Sequence, residues 1–240
     1  MVRHPRDVPH REVRCTFFGR AEPLARTPST GAASRLGRSG ASEAFYHRLA
    51  ANEAFYDFIQ RVAGGSSVSR HVAPFLRFAP GLRVLDVGGG TGAIKTLIDP
   101  GVRHVCVDLE RAKLEGYAAK FADGRPVQAD ASALPVRDHA VDAVTLALVT
   151  HHLSEADLDV VLGEIARVLK PEGVLVLYDA VWTPSRLASR ILWKYDRGSH
   201  PRTADQIVSA VRTHFSILER REFAVLHRYA AFLCKPRERA

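Results

Sequence analysis

Four glycines within five residues mark a place in the sequence where a ligand could bind. Residues 84–92 read Val-Leu-Asp-Val-Gly-Gly-Gly-Thr-Gly, so an apolar stretch with strand character leads straight into Gly88, Gly90 and Gly92. Glycine adopts positive φ and has no Cβ, so the backbone here can approach a ligand closely. A helix over residues 93–98 would add its positive end and its free N–H groups. The pattern predicts a cradle for a carboxylate or a phosphate.

The spacing of these glycines argues against two common nucleotide sites. A dinucleotide-binding turn has the pattern G-x-G-x-x-G. Glycines at 88, 90 and 92 instead give G-x-G-x-G, with Asp86 two residues upstream. The phosphate loop of nucleoside triphosphatases needs a Gly-Lys pair, and none occurs in this region. A tight strand-to-helix turn without a ligand is the remaining alternative.

Asp108 ends the next strand pattern, which covers residues 102–109. A carboxylate at the tip of a strand can accept hydrogen bonds from both hydroxyls of a ribose, as acids in dinucleotide folds do. Taken alone, Asp108 also fits an N-cap for a helix over residues 111–119. Its position relative to Gly88 favours the ribose role.

Two more polar sites follow predicted strands. Asp130 and Ala131 interrupt a short strand pattern over residues 126–134, in a sequence that would alone be an ordinary turn. His151 and His152 follow a nearly continuous apolar run that is typical of a strand buried on both faces of a parallel sheet. An imidazole titrates near neutrality, so either histidine could act as a general base. Alternatively, one histidine packs and the other hydrogen-bonds a neighbouring loop.

Taken in order, these motifs resemble the class I S-adenosylmethionine-dependent methyltransferases over residues 84–180. Within that family the resemblance is to the small-molecule branch, the ubiquinone/menaquinone-methyltransferase-like enzymes of methyltransferase type 11. Residues 165–175, Ile-Ala-Arg-Val-Leu-Lys-Pro-Glu-Gly-Val-Leu, look very much like the corresponding stretch of those enzymes.

The resemblance implies S-adenosyl-L-methionine as the cofactor. In the family the glycine loop wraps the methionine end of the cofactor. Asp130 would accept from the adenine amino group, and the N–H of Ala131 would meet a ring nitrogen. The implied cofactor-binding residues are Asp86, Gly88, Gly90, Gly92, Asp108, Asp130 and Ala131. His151 and His152 are the candidate catalytic residues, and no metal site is expected.

The resemblance also implies the fold class. We expect an α/β, Rossmann-like sheet of seven strands, mostly parallel, with an antiparallel seventh strand and helices on both faces. Ser154 and Asp157 form a near capping box at the start of a helix, and Lys-Pro-Glu-Gly at 170–173 would stop it. Further helices are predicted at 185–195 and 204–214, and the last two strands at 215–223 and 227–234.

Charge and composition divide the chain into three parts. The net charge is +8 at pH 7, and residues 1–40 hold eight arginines against three acidic residues. That segment is predicted to be a disordered basic tail. Residues 41–80 are predicted to form a helical lid, with Phe45, Tyr46, His47, Phe55 and Tyr56 as lid candidates, although these aromatic residues could equally dock a helix on the sheet. Residues 81–240 would form the methyltransferase domain.

Several classes of protein and site are disfavoured. Three scattered cysteines are too few for a disulfide framework or a zinc site, which favours a cytoplasmic location. No apolar run is long enough to span a bilayer. Neither the Asn-Pro-Pro-Tyr signature of base and glutamine methylation nor the Pro-Cys pair of cytosine C5 methylation occurs. The oligomeric state does not follow from the sequence.

We therefore predict a methyltransferase that acts on a small molecule by in-line transfer to an oxygen, nitrogen or carbon nucleophile. Binding of nucleic acid is not expected. Two alternatives are an RNA- or protein-modifying methyltransferase that uses the basic termini, and a cofactor-binding protein without catalytic activity. The basic termini are the only feature that supports the first of these.

Overall fold

The computed structural model describes residues 65–183, Ser185, Trp193, 200–225 and 228–237. The predicted tail at 1–40, residues 41–64 of the predicted lid with its five aromatic candidates, and most of the helix predicted at 185–195 lie outside the described residues.

The described part of the chain alternates strands and helices in the order expected for an α/β fold. The α-helices are α1 (Gly65–Val72), α2 (Arg111–Lys120), α3 (Glu155–Val168) and α4 (Ala204–Arg212). The strands are β1 (Arg83–Val87), β2 (Arg103–Asp108), β3 (Pro126–Gln128), β4 (Val141–Ala147), β5 (Leu169–Val181), β6 (Phe215–Ala224) and β7 (Arg228–Pro236). Short 3-10 helices cover Ala73–Leu76, Ile94–Leu97 and Thr150–His152.

The strands form one seven-stranded sheet in the order β3-β2-β1-β4-β5-β7-β6. Strands β1 to β5 pair in parallel, and β7 runs antiparallel to both β5 and β6. The predicted fold class is confirmed, including the antiparallel seventh strand. Because β1, β2, β3, β4 and β5 run in the same direction, their carboxyl ends lie along one edge of the sheet, which we call the carboxyl edge.

Helices cover both faces of the sheet, and each face has its own apolar core. On one face, α3 and α4 bury Leu162, Ile165 and Val211 among other side chains against β1, β2, β4 and β5. On the other face, α1 and the following 3-10 helix bury Val72, Phe75 and other side chains. Alternate residues of β4 therefore point to different cores, as the period of a strand requires.

Side chains cap the starts of α3, as predicted, and of α4. The Ser154 hydroxyl accepts a hydrogen bond from the Asp157 backbone N–H at 3.1 Å and begins α3. Thr203 and Gln206 form a reciprocal capping box at the start of α4. These bonds satisfy N–H groups that the first turn of a helix leaves without partners.

One local prediction is wrong. Residues 93–98 do not form an α-helix but a 3-10 turn at Ile94–Leu97, because Asp99-Pro100 follows and proline cannot continue a helix.

The Lys-Pro-Glu-Gly segment at 170–173, predicted to end helix α3, lies instead within strand β5. Helix α3 ends at Val168, and the next residue already belongs to β5. The register of β5 against β4 then shifts between Leu169 and Val174, so the Lys-Pro-Glu-Gly segment forms an irregularity in the strand pair. Lys170 bonds Asp142 of β4 there, and Asp142 also accepts from the Arg83 backbone N–H at 2.8 Å.

No helix in the described ranges is long and apolar enough to cross a membrane.

Leu148, a bulky residue at the carboxyl edge, has a left-handed backbone conformation, which residues with a Cβ rarely adopt. Leu148, directly after β4, has φ of 56° and is 36% exposed. Its N–H donates to the Tyr178 carbonyl of β5 at 2.9 Å, which holds it in place. A left-handed conformation costs a residue with a Cβ about 1–2 kcal/mol.

We predict that Leu148→Gly is more stable than Leu148→Ala by about 1 kcal/mol, because glycine removes the Cβ that strains this conformation. Urea unfolding of the two variants measures the difference. Val160, half-exposed inside α3, provides the control. There the alanine variant should be more stable than the glycine variant, since glycine costs a helix about 1 kcal/mol relative to alanine. An alanine variant at 148 as stable as the glycine variant would contradict the prediction.

Candidate active site

The glycine loop after β1 has the backbone geometry that its sequence predicts. Gly88, Gly90 and Gly92 all have positive φ, at 68°, 54° and 82°. The N–H groups of Gly88 and Gly89 donate to the Val107 carbonyl of β2 at 2.8 and 3.1 Å. The loop is therefore fixed to the neighbouring strand.

The three positive-φ glycines are required for different reasons. A Cβ on Gly88 would lie 2.4 Å from the Val149 side chain, and one on Gly92 would lie 2.5 Å from the Phe121 ring. Both glycines are therefore needed for packing within the protein. A Cβ on Gly90 would meet nothing closer than 3.8 Å, where the nearest atom belongs to Lys113. Gly90 is thus the glycine in this loop whose backbone another molecule could approach.

Asp86 lies beneath the loop and is fully buried. Its Oδ1 accepts a hydrogen bond from the Thr145 hydroxyl at 2.6 Å, and its Oδ2 lies 3.5 Å from Nε2 of the buried His104. A Cβ on Gly89 would lie 2.5 Å from that Oδ2. Asp86 therefore supports the loop from inside, and its direct contact with a cofactor stays a prediction.

Cys106 also lies beneath the loop. Its side chain is fully buried, and its Sγ donates weakly to the Gly90 carbonyl at 3.7 Å. Burial and the nearby carboxylates of Asp86 and Asp108 raise the pKa of this thiol. Cys106 is therefore a neutral core residue and not a nucleophile.

Asp108 connects the glycine loop to the end of β2. Its Oδ2 accepts from the Gly90 N–H at 2.9 Å, and its Oδ1 accepts from the Glu110 N–H at 2.9 Å. Glu110 occupies the N-cap position of α2, so Asp108 is not the N-cap of that helix. Each carboxylate oxygen can accept more than one hydrogen bond. Asp108 can therefore hold the loop and still accept from a ligand.

Asp130 and Ala131 lie beyond the end of β3 at the same edge. Asp130 is exposed, and its Oδ1 accepts from the backbone N–H and the hydroxyl of Ser132 at 2.8 and 2.7 Å. These two bonds lower the pKa of Asp130, so it remains a carboxylate at neutral pH. Ala131 packs partly buried against the main core.

The two candidate catalytic histidines differ sharply in environment. Both lie in the 3-10 helix after β4, with ring centroids 4.1 Å apart. His151 is 5% exposed, and its Nδ1 lies 2.5 Å from Oδ1 of Asp179 in β5. His152 is exposed. The structure therefore separates a buried histidine next to a carboxylate from an exposed one beside it.

Arg202, fully buried, holds the turn that carries these histidines. Its guanidinium donates to the carbonyls of Thr150 and Leu153, at the two ends of the turn, and to the Glu155 carboxylate at 2.9 Å. The Arg202 carbonyl accepts from the Trp182 N–H at 2.7 Å, just beyond β5. One side chain therefore joins the segment before α4 to the turn after β4.

Sequence reasoning missed Asp179 and Arg202. Asp179 had a signal, since it is the one acid in the otherwise apolar run at 174–181. Arg202 belongs to a polar loop, and nothing in its local sequence distinguishes it from exposed arginines.

Two aromatic side chains lie close to His151. The Trp193 ring meets the His151 ring edge to face at a centroid distance of 5.6 Å. Trp182 meets Trp193 in the same manner at 6.4 Å. Trp182 and Trp193 together form an apolar wall beside His151.

A cleft of about 580 Å³ lies away from all these residues, at the opposite end of the strands. It is lined by Asp138, Arg167, Glu172 and Lys235 among others, and these charges form ion pairs: Arg167 with Asp138, and Lys235 with Glu172. It contains none of the predicted site residues. Across the part of the chain that the structure describes, no group of three or more His, Cys, Asp or Glu side chains could hold a metal ion.

Comparison with known proteins adds independent information on this region. Residues 85–177 match the model of a methyltransferase domain. The demethylmenaquinone methyltransferase of Renibacterium salmoninarum is 36% identical over 99 residues, which are 41% of this chain and 41% of that protein. Sterol methyltransferase-like 1 of Botryococcus braunii is 33% identical over 122 residues, 48% of this chain and 31% of that protein. The chain thus covers less than half the length of either relative.

A solved structure extends the likeness beyond the matched segment. The geranyl diphosphate C-methyltransferase of Streptomyces coelicolor, in complex with Mg²⁺, geranyl diphosphate and S-adenosyl-L-homocysteine, superposes with a TM-score of 0.58 at 15% identity. The superposition covers 72% of this chain and 80% of that one, and it shows a shared fold. The matched segment contains the glycine loop, Asp108, Asp130 and both histidines. Residues 85–177 are therefore similar to a methyltransferase domain.

Proposed function

We propose that this protein transfers the methyl group of S-adenosylmethionine to a small-molecule acceptor. One observation carries the proposal: the backbone at Gly90 has positive φ, is open on the side where a Cβ would lie, and adjoins the buried carboxylate of Asp108. Packing within the protein explains the glycines at 88 and 92. It does not explain the open space beside the backbone of Gly90, which a bound ligand would fill.

The residues present fit this cofactor. The glycine loop would hold the methionine end, and Asp108 would accept from the ribose hydroxyls. Asp130, ionised at neutral pH, would accept from the adenine amino group, and the Ala131 N–H would meet a ring nitrogen. Leu109, next to Asp108, is 64% exposed and offers an apolar surface to a flat base. Asp86, buried beneath the glycine loop, would support the loop from inside the protein.

The reaction needs little from the protein beyond binding and orientation. When bound, S-adenosylmethionine supplies a methyl group on a positively charged sulfur, which provides the intrinsic reactivity. The chain must hold the acceptor in line with that group and exclude water. For an acceptor that must lose a proton, His151 or His152 would act as the general base, worth roughly 10²- to 10⁴-fold in rate.

A small-molecule acceptor is supported by what similar proteins are named for. Those names include a demethylmenaquinone methyltransferase, a sterol methyltransferase-like protein and a geranyl diphosphate C-methyltransferase. All three names point to small molecules with a large apolar part. The apolar wall of Trp182 and Trp193 at the carboxyl edge agrees with an acceptor of that character.

We predict that Gly90→Val weakens binding of S-adenosylmethionine by at least about tenfold, because the side chain would fill the space that the cofactor needs. Gly81→Val is the matched control, since Gly81 also has positive φ, at 87°, and a Cβ there would meet no atom within 4 Å. Isothermal calorimetry on both variants separates lost binding from backbone strain. Wild-type affinity in Gly90→Val would show that the loop is not the site.

We further predict that the wild-type chain binds S-adenosylmethionine with a dissociation constant of roughly 1 µM to 1 mM and NAD at least about tenfold more weakly. The G-x-G-x-G spacing is the physical reason, because it lacks the third glycine of a dinucleotide turn. Calorimetric titration with each ligand measures the preference. A preference for NAD would overturn the proposed function.

The RNA-modifying alternative makes a separate prediction about the basic segment at 1–40. If the acceptor is a small molecule, the full chain and a chain lacking residues 1–40 should bind RNA equally weakly. Titrations at several salt concentrations make the comparison, because neutralisation of phosphates by arginines gives a steep salt dependence. Tight, salt-sensitive binding by the full chain alone would favour the RNA substrate.

A further inference from the structure

We propose that the cleft at the amino ends of β4 and β5 is a second binding site, which takes a small organic carboxylate. The carboxylate group pairs with Arg237, and the hydrocarbon part of the ligand packs on the apolar lining of the cleft. We call this space the amino-edge cleft. It lies at the opposite end of the sheet from the glycine loop, so the inference does not rest on the proposed function.

An irregularity in the sheet forms one wall of the amino-edge cleft. The register of β5 against β4 shifts across residues 170–173, and Pro171 and Glu172 of this extra segment line the cleft. A Cβ on Gly173 would lie 2.9 Å from the Leu169 side chain, so the segment packs closely on its own strand. Strand irregularities often occur beside functional sites, where they redirect side chains. This wall is therefore preformed.

His139 forms the facing wall in a backbone conformation that residues with a Cβ rarely adopt. Its φ is 52°. Its backbone N–H donates to the Arg167 carbonyl at 3.0 Å, and its ring Nδ1 donates to the Leu169 carbonyl at 2.9 Å. Such conformations persist only where the surroundings hold them, and they are concentrated at ligand sites. The two hydrogen bonds fix both the backbone and the ring of His139 at the cleft.

The charged side chains that line the cleft do not all neutralise one another. Arg167 pairs with Asp138 at 2.6 Å, and Lys235 pairs with Glu172. Arg237 also lines the cleft, but it makes no ion pair with any residue that the structure describes. The lining therefore carries one guanidinium charge without a carboxylate partner, which favours an anionic ligand.

Arg237 presents the part of its guanidinium that suits a carboxylate. Its Nη1 donates to the Arg212 carbonyl at the end of α4, at 2.9 Å, and its backbone N–H donates to the His214 carbonyl at 2.9 Å. Within the described ranges, Nε and Nη2 donate to no protein group. These two nitrogens form a planar fork that can bind both oxygens of one carboxylate. A single anchored arginine thus offers a bidentate site.

The size and the lining of the cleft indicate the rest of the ligand. Its volume of about 580 Å³ lies within the range of roughly 300–1,000 Å³ that is usual for small-molecule sites. Ala166, Leu169, Pro171 and Pro236 supply an apolar lining beside Arg237. A bare inorganic anion would leave this apolar surface in water, whereas a carboxylate with a hydrocarbon body would cover it. The cleft therefore fits an organic acid better than phosphate.

Titration with 4-phenylbutyrate and with its uncharged analogue 4-phenylbutanamide tests the site. The wild-type chain should bind the acid at least about tenfold more tightly than the amide, because only the acid can pair with Arg237. Arg237→Gln should remove this preference. Arg103→Gln is the matched control, since Arg103 is exposed at the start of β2, at the same edge of the sheet but outside the cleft. Salt screens such a distant charge, so this variant should keep the preference. Isothermal calorimetry measures all four affinities.

A second pair of variants locates the bound probe. Ala166 of α3 lines the cleft, so Ala166→Leu should fill part of the space and weaken both the acid and the amide. Ala166→Ser, which hardly changes the volume, should bind as the wild type does. If Ala166→Leu does not fold, backbone NMR of the wild-type chain decides instead. The amide signals of Ala166 and Leu169 should then shift when 4-phenylbutyrate is added.

Four outcomes would overturn the proposal. The first is failure of the wild-type chain to bind millimolar 4-phenylbutyrate. The second is equal affinity for the acid and the amide. The third is a preference that survives in Arg237→Gln or is lost in Arg103→Gln. The fourth is displacement of the acid by an equal concentration of inorganic phosphate, which would show a site for any anion.

Competition with S-adenosylmethionine separates this cleft from the proposed cofactor site. The cofactor would bind at the carboxyl edge, so a saturating concentration should leave the affinity for 4-phenylbutyrate unchanged. Displacement of the acid would place the probe at the carboxyl edge and refute the amino-edge site. A chain that binds the acid but not the cofactor would refute the proposed methyl donor and leave this inference standing.

Discussion

Parallel pairing of β1 with β2 on one side and β4 on the other is the interaction on which the rest of the site depends. These backbone hydrogen bonds place Val87 beside Val107 and beside Leu146. The residues that follow each strand then emerge together, so Gly90 can donate to Asp108 although 18 residues separate them in the chain. In open α/β sheets ligands bind in the crevice outside the carboxyl ends of the strands, which is this edge.

That the predicted cofactor residues lie at one edge of the sheet could be predicted from the sequence for a physical reason. Gly88 and Asp130 come just after β1 and β3, and Asp108 is the last residue of β2, so a correct assignment of strands and direction is enough to bring them to one edge. The fold class followed from the family resemblance of the same motifs. The 3-10 turn at Ile94–Leu97 was missed because a proline just beyond it outweighs the helical propensity of the residues before it.

The other half depends on contacts that no local pattern reveals. Asp179 meets a histidine 28 residues earlier in the chain, and Arg202 meets the Thr150 carbonyl 52 residues earlier. Such pairs form only after β4 and β5 are aligned and the chain has returned across the edge. Local sequence indicated that histidines stood at the end of β4, but only tertiary structure shows that one is buried against a carboxylate and the other is exposed.

The position of β7 has a consequence for the order of assembly. Strand β7 lies between β5 and β6, although it follows both in the chain. Strands β1 to β5 can therefore join as soon as they leave the ribosome, whereas β6 has no neighbour to pair with until β7 has been synthesised. While β6 is unpaired, its charges would discourage association with other nascent chains. These charged residues are Glu219, Arg220, Arg221 and Glu222.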